Sequence, residues 1–170
     1  SHCPDGPCNV AINACAEEGY CDSHTLCRGS EEMPSFKTEC DLVSNVCIPC
    51  SDDPYEPNDE IQSAMDVAAL QAGAALNTCG GSDFFQVAAQ PGQTISIQVD
   101  FAHALGDVDV KLWGPGGMGA DGMLPAVSTS AGVSDIEAIE YAAEEGGVYV
   151  IEVFGYNGVY NTYTLNASVQ

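Results

Sequence analysis

Positive charge is almost missing from this sequence. Arg28, Lys37 and Lys111 are its only cations, against 25 acidic residues, and the net charge is -22. Phosphate binding needs clustered Lys and Arg, so nucleic acid is excluded as a partner. Anionic membrane surfaces are disfavoured for the same reason. Long apolar runs are also missing. None approaches the ~18 residues of a spanning helix, so no membrane insertion is expected. No signal-peptide pattern opens the chain, as expected of a mature form. Catalytic signatures are missing too. The histidines are only His2, His24 and His103. There is no GxSxG elbow, no HExxH and no phosphate-binding Gly loop before a helix, so no enzyme is expected. Asp107 and Asp109 stand two apart on one strand and share a face. That does not set an acid and a base across a cleft; they are expected to serve a turn, one of them accepting backbone hydrogen bonds.

What the chain does have excludes disorder. Hydrophobic residues are 45% of it and charged residues 16%, enough apolar material for a core. The acids divide into 10 before Pro54 and 15 after it, so the charge coats the whole chain instead of forming a tail. Such a coat suits solubility outside the cell.

Nine cysteines divide the chain. Cys3, Cys8, Cys15, Cys21, Cys27, Cys40, Cys47 and Cys50 crowd the first fifty residues, and Cys79 stands alone. Residues 1–51 hold few large apolar side chains, too thin a core without covalent staples. A disulfide-stapled module is expected there, in an oxidising compartment. Zinc is the competing reading, but Cys47 and Cys50 form the only CxxC and the other spacings are irregular. Eight cysteines allow about 105 pairings, so connectivity stays open. Because the total is odd, Cys79 has three fates: a buried thiol, a bridge to another chain, or a bond back to the head that leaves an unpaired thiol there.

A linker, 52–60, is marked by "SDDPYEPNDE". Its prolines disfavour a regular element. The following "IQSAMDVAALQAG" fits either a short helix or a strand with a turn. From Phe84 onward, apolar residues alternate. Ile95, Ile97, Val99 and Phe101 share one face; so do Val108, Val110 and Leu112. Glu137, Ile139 and Tyr141 form a third such set, Tyr149, Ile151 and Val153 a fourth, and Tyr163, Leu165, Ala167 and Val169 a fifth. Period-2 runs broken by "QPGQ", "HALGD", "EEGG" and "YNG" predict a mainly β domain over 52–170, an antiparallel, jelly-roll-like sandwich. The glycine-rich "WGPGGMGADGM" reads as a hairpin loop, with Trp113, Met118 and Met123 over one end of the sandwich or in a contact patch.

The segments "YEPNDEIQSAMDV", "CGGSDFFQVAAQPGQTISIQV", "LGDVDVKLWGPGG", "STSAGVSDIEAIEYAAEEGGVYVIEVFGYNG" and "YNTYTLNAS" occur in the order found in the bacterial pre-peptidase C-terminal (PPC) domain. Residues 54–170 resemble that family. The head, through "CAEEGYCDSHTLC" and "CDLVSNVCIPC", loosely resembles cysteine-rich repeats of bacterial secreted and surface proteins. The PPC resemblance implies a non-catalytic, extracellular β-sandwich. In related collagen-binding modules a linker of this type wraps back and shares calcium with an Asp-bearing loop. By that likeness Glu56, Asn58, Asp59 and Asp83 are candidate calcium ligands, all oxygen donors as calcium prefers. Gly80 and Gly81 stand where relatives often carry another acid. The alternative is a linker whose Asn58 and Asp59 cap turns. The same relatives contact partners through tyrosines, which makes Tyr156 and Tyr160 binding candidates.

The expected function is an accessory binding or anchoring domain of a secreted or surface protein, possessing no activity of its own. Its expected partner is a protein or polysaccharide outside the cell. The alternative is a structural subunit of an extracellular filament or surface assembly, its partner then being copies of itself.

Overall fold

The alternating runs become strands, and their apolar faces meet. The structure is a computed structural model. It describes Cys50, residues 53–79, 81–116 and 125–170, and the backbone of four short strands in the head. Those are β1 (Cys8–Asn9), β2 (Ala14–Cys15), β3 (Thr38–Asp41) and β4 (Val46–Pro49). β1 and β2 form one antiparallel hairpin and β3 and β4 another. The disulfides expected among the other head cysteines, Met118, Met123, and the glycine-rich 117–124 lie outside the described residues.

The body begins with β5 (Met65–Asp66) and β6 (Leu76–Asn77). The long strands follow: β7 (Ser82–Ala89), β8 (Thr94–Phe101), β9 (Val108–Trp113), β10 (Ser128–Ser130), β11 (Ile136–Ala142), β12 (Gly147–Gly155) and β13 (Thr162–Val169). The segment of ambiguous period, 61–73, resolves into two 3-10 turns, Ile61–Ser63 and Val67–Ala69, either side of β5.

Five strands make one sheet in the order β10-β9-β12-β7-β5, and four make another in the order β11-β8-β13-β6. All pairings are antiparallel except β5 with β7. From β7 to β9, and again from β10 to β13, each successive strand lies in the other sheet, so the inner faces are stitched by sequence. Phe85, Val87, Val108, Val110, Leu112, Tyr149, Ile151 and Val153 of the five-stranded sheet share one cluster with Ile95, Ile97, Val99, Phe101, Ile139, Tyr163 and Leu165 of the other. These are the faces that alternation predicts. Each fully buried side chain of this size contributes about 1.5–3 kcal/mol, so this layer carries the fold.

The outer faces differ. On the five-stranded sheet Phe84, Trp113 and Val150 are buried again, under Ile61 and Ala64 of the linker-turn segment and Ala126. Trp113 thus covers a sheet face and not an end of the sandwich. Lys111 lies over the Phe154 ring at 4.2 Å and the Trp113 ring at 5.9 Å, and its Nζ is 3.8 Å from Glu152. Trp113 Nε1 donates to Glu152 Oε2 (3.0 Å) and Ser82 Oγ to Oε1 (2.9 Å), so the buried carboxylate is satisfied. On the four-stranded sheet the outward residues stay in solvent. There a cleft of about 470 Å³ lies between Val67, Leu70 and Gln71 on one side and Gln98, Glu140 and Asn166 on the other, its lining about half apolar.

The "YNG" turn is real. Asn157 sits at φ 56° and Gly158 at φ 73°, left-handed backbone that Asn and Gly tolerate. Just before it, a Cβ on Gly155 would stand 1.8 Å from the Val159 carbonyl oxygen, so only glycine fits.

Candidate metal centre

The linker reaches the end of the sandwich through its own polar side chains. Asp53 is buried. Its Oδ1 accepts from Tyr55 N (2.8 Å) and its Oδ2 from Asn77 N (3.0 Å), which ties the linker's start to β6. Beside it, Cys50 is disulfide-bonded to Cys79. Cys79 is therefore neither an inert thiol nor a link to another chain; it bonds back to the end of the head. No spacing argument could select that pair, because loop closure is nearly indifferent to which head cysteine is used. Asn58 is fully buried, and Phe84 N donates to its carbonyl (2.8 Å), fixing the linker's far end against β7. The Glu56–Pro57 peptide is cis.

Three carboxylates converge here. One oxygen each of Glu56, Asp59 and Asp83 lies within 4.8 Å of the others. Asp83 comes from the inner face of β7 and is 1% exposed. Tyr163 OH donates to its Oδ2 at 2.5 Å, but its Oδ1 is buried with no hydrogen-bond partner. Burial pushes the Asp83 carboxyl up to about 8; the Tyr163 hydrogen bond opposes this, and Glu56, Asp53 and Asp59 add to it. The Tyr163 hydroxyl is raised well above its ordinary value, by burial first and then by Asp83. Asn58 N donates to Glu56 Oε2 (2.7 Å). The Asn58 amide can face Glu56 in two ways. With its nitrogen inward it donates to both carboxylate oxygens at 3.0 Å. Only the nitrogen-inward orientation satisfies both groups.

This donor set fits a hard divalent cation. Calcium binds carboxylate and carbonyl oxygens at about 2.4 Å, so any two of its ligands stand at most about 4.8 Å apart. An unpartnered, buried carboxylate oxygen costs free energy unless a cation or proton meets it. Of the four candidates, Glu56, Asp59 and Asp83 are thus brought to one place, and Asn58 stands beside them hydrogen-bonded to Glu56. Asp53, Tyr163 and the Cys50–Cys79 bridge complete the neighbourhood. Tyr163 is legible in sequence only as a core residue. Asp53 is legible only as part of a turn.

The tyrosine candidates separate. Tyr156 is exposed, but Tyr160, expected at the surface, is buried at 9% exposure with its hydroxyl at Thr162 Oγ1 (2.9 Å). The YNG turn folds Tyr160 inward beneath it, so the two form no joint surface. The Asp107 carboxylate meets His103 Nδ1 at 3.1 Å instead of backbone donors. Asp109 is buried at 5% exposure on the outer face of β9.

No protein family matches the chain, and no curated protein matches it. Among solved structures it is similar to Aeromonas hydrophila PliG, a periplasmic inhibitor of g-type lysozyme. The identity is 20% and the TM-score 0.47, over 63% of this chain and 96% of that one. It is also similar to the pre-peptidase C-terminal domain of collagenase from Bacillus anthracis, at 15% identity and TM-score 0.44, over 69% of this chain and all of that one. The second belongs to the family that residues 54–170 resemble.

Proposed function

We propose that this chain is a non-catalytic extracellular module whose linker is fastened to its β-sandwich by calcium. Glu56, Asn58, Asp59 and Asp83 hold the ion, and the fastened module serves a secreted or surface protein as a binding or anchoring domain. One observation carries the calcium reading: Asp83, buried with one oxygen lacking a partner, has a carboxylate oxygen within 4.8 Å of one from each of Glu56 and Asp59. The Cys50–Cys79 disulfide supports a location outside the cytosol, since such bonds persist in oxidising compartments. The cleft on the four-stranded sheet supports the binding role. Its amides and hydroxyls can hydrogen-bond a polysaccharide or an extended peptide without drawing on charge. Calorimetric titration with calcium, paired with thermal melts in calcium and in EDTA, tests the proposal. Saturable heat and a higher melting temperature in calcium are expected. No heat and superimposable melts would overturn it.

The structural-subunit reading draws support from a different observation. With Cys50 and Cys79 bonded, seven cysteines remain in the head, an odd number that cannot all pair with one another. One of them therefore needs a partner from outside these residues, as a bridge to a neighbouring chain would supply. Non-reducing electrophoresis of native material would give covalent dimers or ladders under this reading; monomer alone would remove it.

A further inference from the structure

Resting on the calcium reading above, we infer that the Cys50–Cys79 disulfide and Asp53 set the affinity of that site, so that the oxidised chain holds the ion and the reduced chain releases it. The ligands come from two separate stretches, Glu56–Asp59 in the linker and Asp83 in β7. The bridge joins the roots of both. Cys50 precedes Asp53 and the linker; Cys79 precedes Asp83.

The Cys79 side is built into the sheet. Thr78 N donates to Asn161 O (3.2 Å), Thr78 Oγ1 to Val159 O (3.1 Å), and Asn161 N to Thr78 Oγ1 (3.2 Å). Cys79 is 1% exposed and sits at φ 38°, turning the chain toward Asp83. The Cys50 side follows β4 and reaches the same place through the bridge. The covalent bridge and the Asp53–Asn77 hydrogen bond tie the linker's start to β6, while the hydrogen bond from Phe84 N to the Asn58 carbonyl ties its far end to β7. Asp53 also turns the linker, through Tyr55 N to its carboxylate and Glu56 N to its carbonyl (3.4 Å), and this aims Glu56.

With the bridge closed, Glu56 and Asp59 are held beside Asp83, and little ordering remains for the ion to impose. With it open, the linker's start loses its covalent tie to β6. The effective concentration of its carboxylates at Asp83 then falls. Opening requires a dithiol reductant. The protein disulfide takes up two electrons and two protons and becomes two thiols, while the dithiol becomes a disulfide. Linkage makes the effect reciprocal: calcium protects the bridge from reduction by the factor by which the bridge favours calcium.

The experiment compares the full chain with its Cys50→Ser/Cys79→Ser variant by calcium calorimetry, well below both melting temperatures. Asp53→Ala is a second variant. Ile139→Val is a control that lowers stability far from the site. The double variant is expected to bind about tenfold or more weakly, Asp53→Ala to weaken binding in the same direction, and Ile139→Val to leave it unchanged. Equal affinity in full chain and double variant overturns this inference and leaves the calcium site standing. No binding by the full chain overturns both. Should the double variant not fold, the native bridge is titrated with dithiothreitol with and without calcium. Protection by calcium supports the coupling, and identical reduction curves overturn it.

Discussion

The two sheets share one core but treat their outer faces in opposite ways. The four-stranded sheet is buried on one side only. β8 reads TISIQVDF, with Ile95, Ile97, Val99 and Phe101 buried between residues that reach solvent, and β11 shows the same alternation. The five-stranded sheet is buried on both. In β12 the five residues Tyr149–Val153 are all buried, and β9 buries every residue but Lys111. The difference follows from what lies over them. The linker and its 3-10 turn, with Ile61 and Ala64, cover Phe84, Trp113 and Val150, while Val67, Leu70, Gln71 and Ala72 stand across an open cleft from Gln98, Asn166 and Glu140, which stay exposed. A sheet gains a second core when a neighbouring segment is fastened over it. Here the fastening is the disulfide, the Asp53 hydrogen bonds and the hydrogen bond from Phe84 N to the Asn58 carbonyl.

Substitutions can break this contrast. In the shared core, Phe85→Ala should cost about 4–5 kcal/mol by chemical denaturation, because Phe85 is fully buried between the sheets. Removing the Cys50–Cys79 bridge should cost roughly 3–4 kcal/mol from the loop it closes. It should also raise proteolytic sensitivity in the linker before the sandwich. Trp113→Ala should cost about 3 kcal/mol, since it opens the covered face and removes one of the hydrogen bonds to the Glu152 carboxylate. A loss under about 0.5 kcal/mol would mean that the outer face is no second core.

A smaller effect comes from the charge buried on that face. The Asp109 carboxyl is pushed up to about 6, by burial first, then by Asp107 and Glu137, with Lys111 opposing. The folded state therefore holds this proton more tightly than the unfolded chain. Stability from this group is full below about pH 4 and is lost as pH rises through about 6. Asp109→Asn should flatten the fall in melting temperature between those values; an unchanged profile would place the slope elsewhere. On the open sheet, Glu140→Ala should shift stability by no more than about 0.5 kcal/mol. A larger loss would show that this face is covered too.

Much of the sandwich was legible in the sequence. Alternation assigned the inner residues of β8, β9, β11, β12 and β13, including Tyr163 with Leu165. It could not say that Phe84 and Phe85 would both be buried on opposite faces, since a short apolar run has no readable period. The segment at 61–73 was ambiguous because its turns are set by what they pack against. The resemblance named Glu56, Asp59 and Asp83, which converge, but Tyr160, expected at the surface, is buried. A tyrosine beside a turn gives no local sign of which way the turn folds.

The sequence by itself determined the mainly β character, the turns and the inner faces of the strands, because these follow from side-chain alternation and local backbone preference. It also determined the acidic coat and the odd number of cysteines. Tertiary structure alone decided that Cys79 bonds to Cys50, that the linker covers one sheet and leaves the other open, and that Asp83 meets Glu56 and Asp59. Those are contacts between distant stretches of chain, and only packing brings such stretches together.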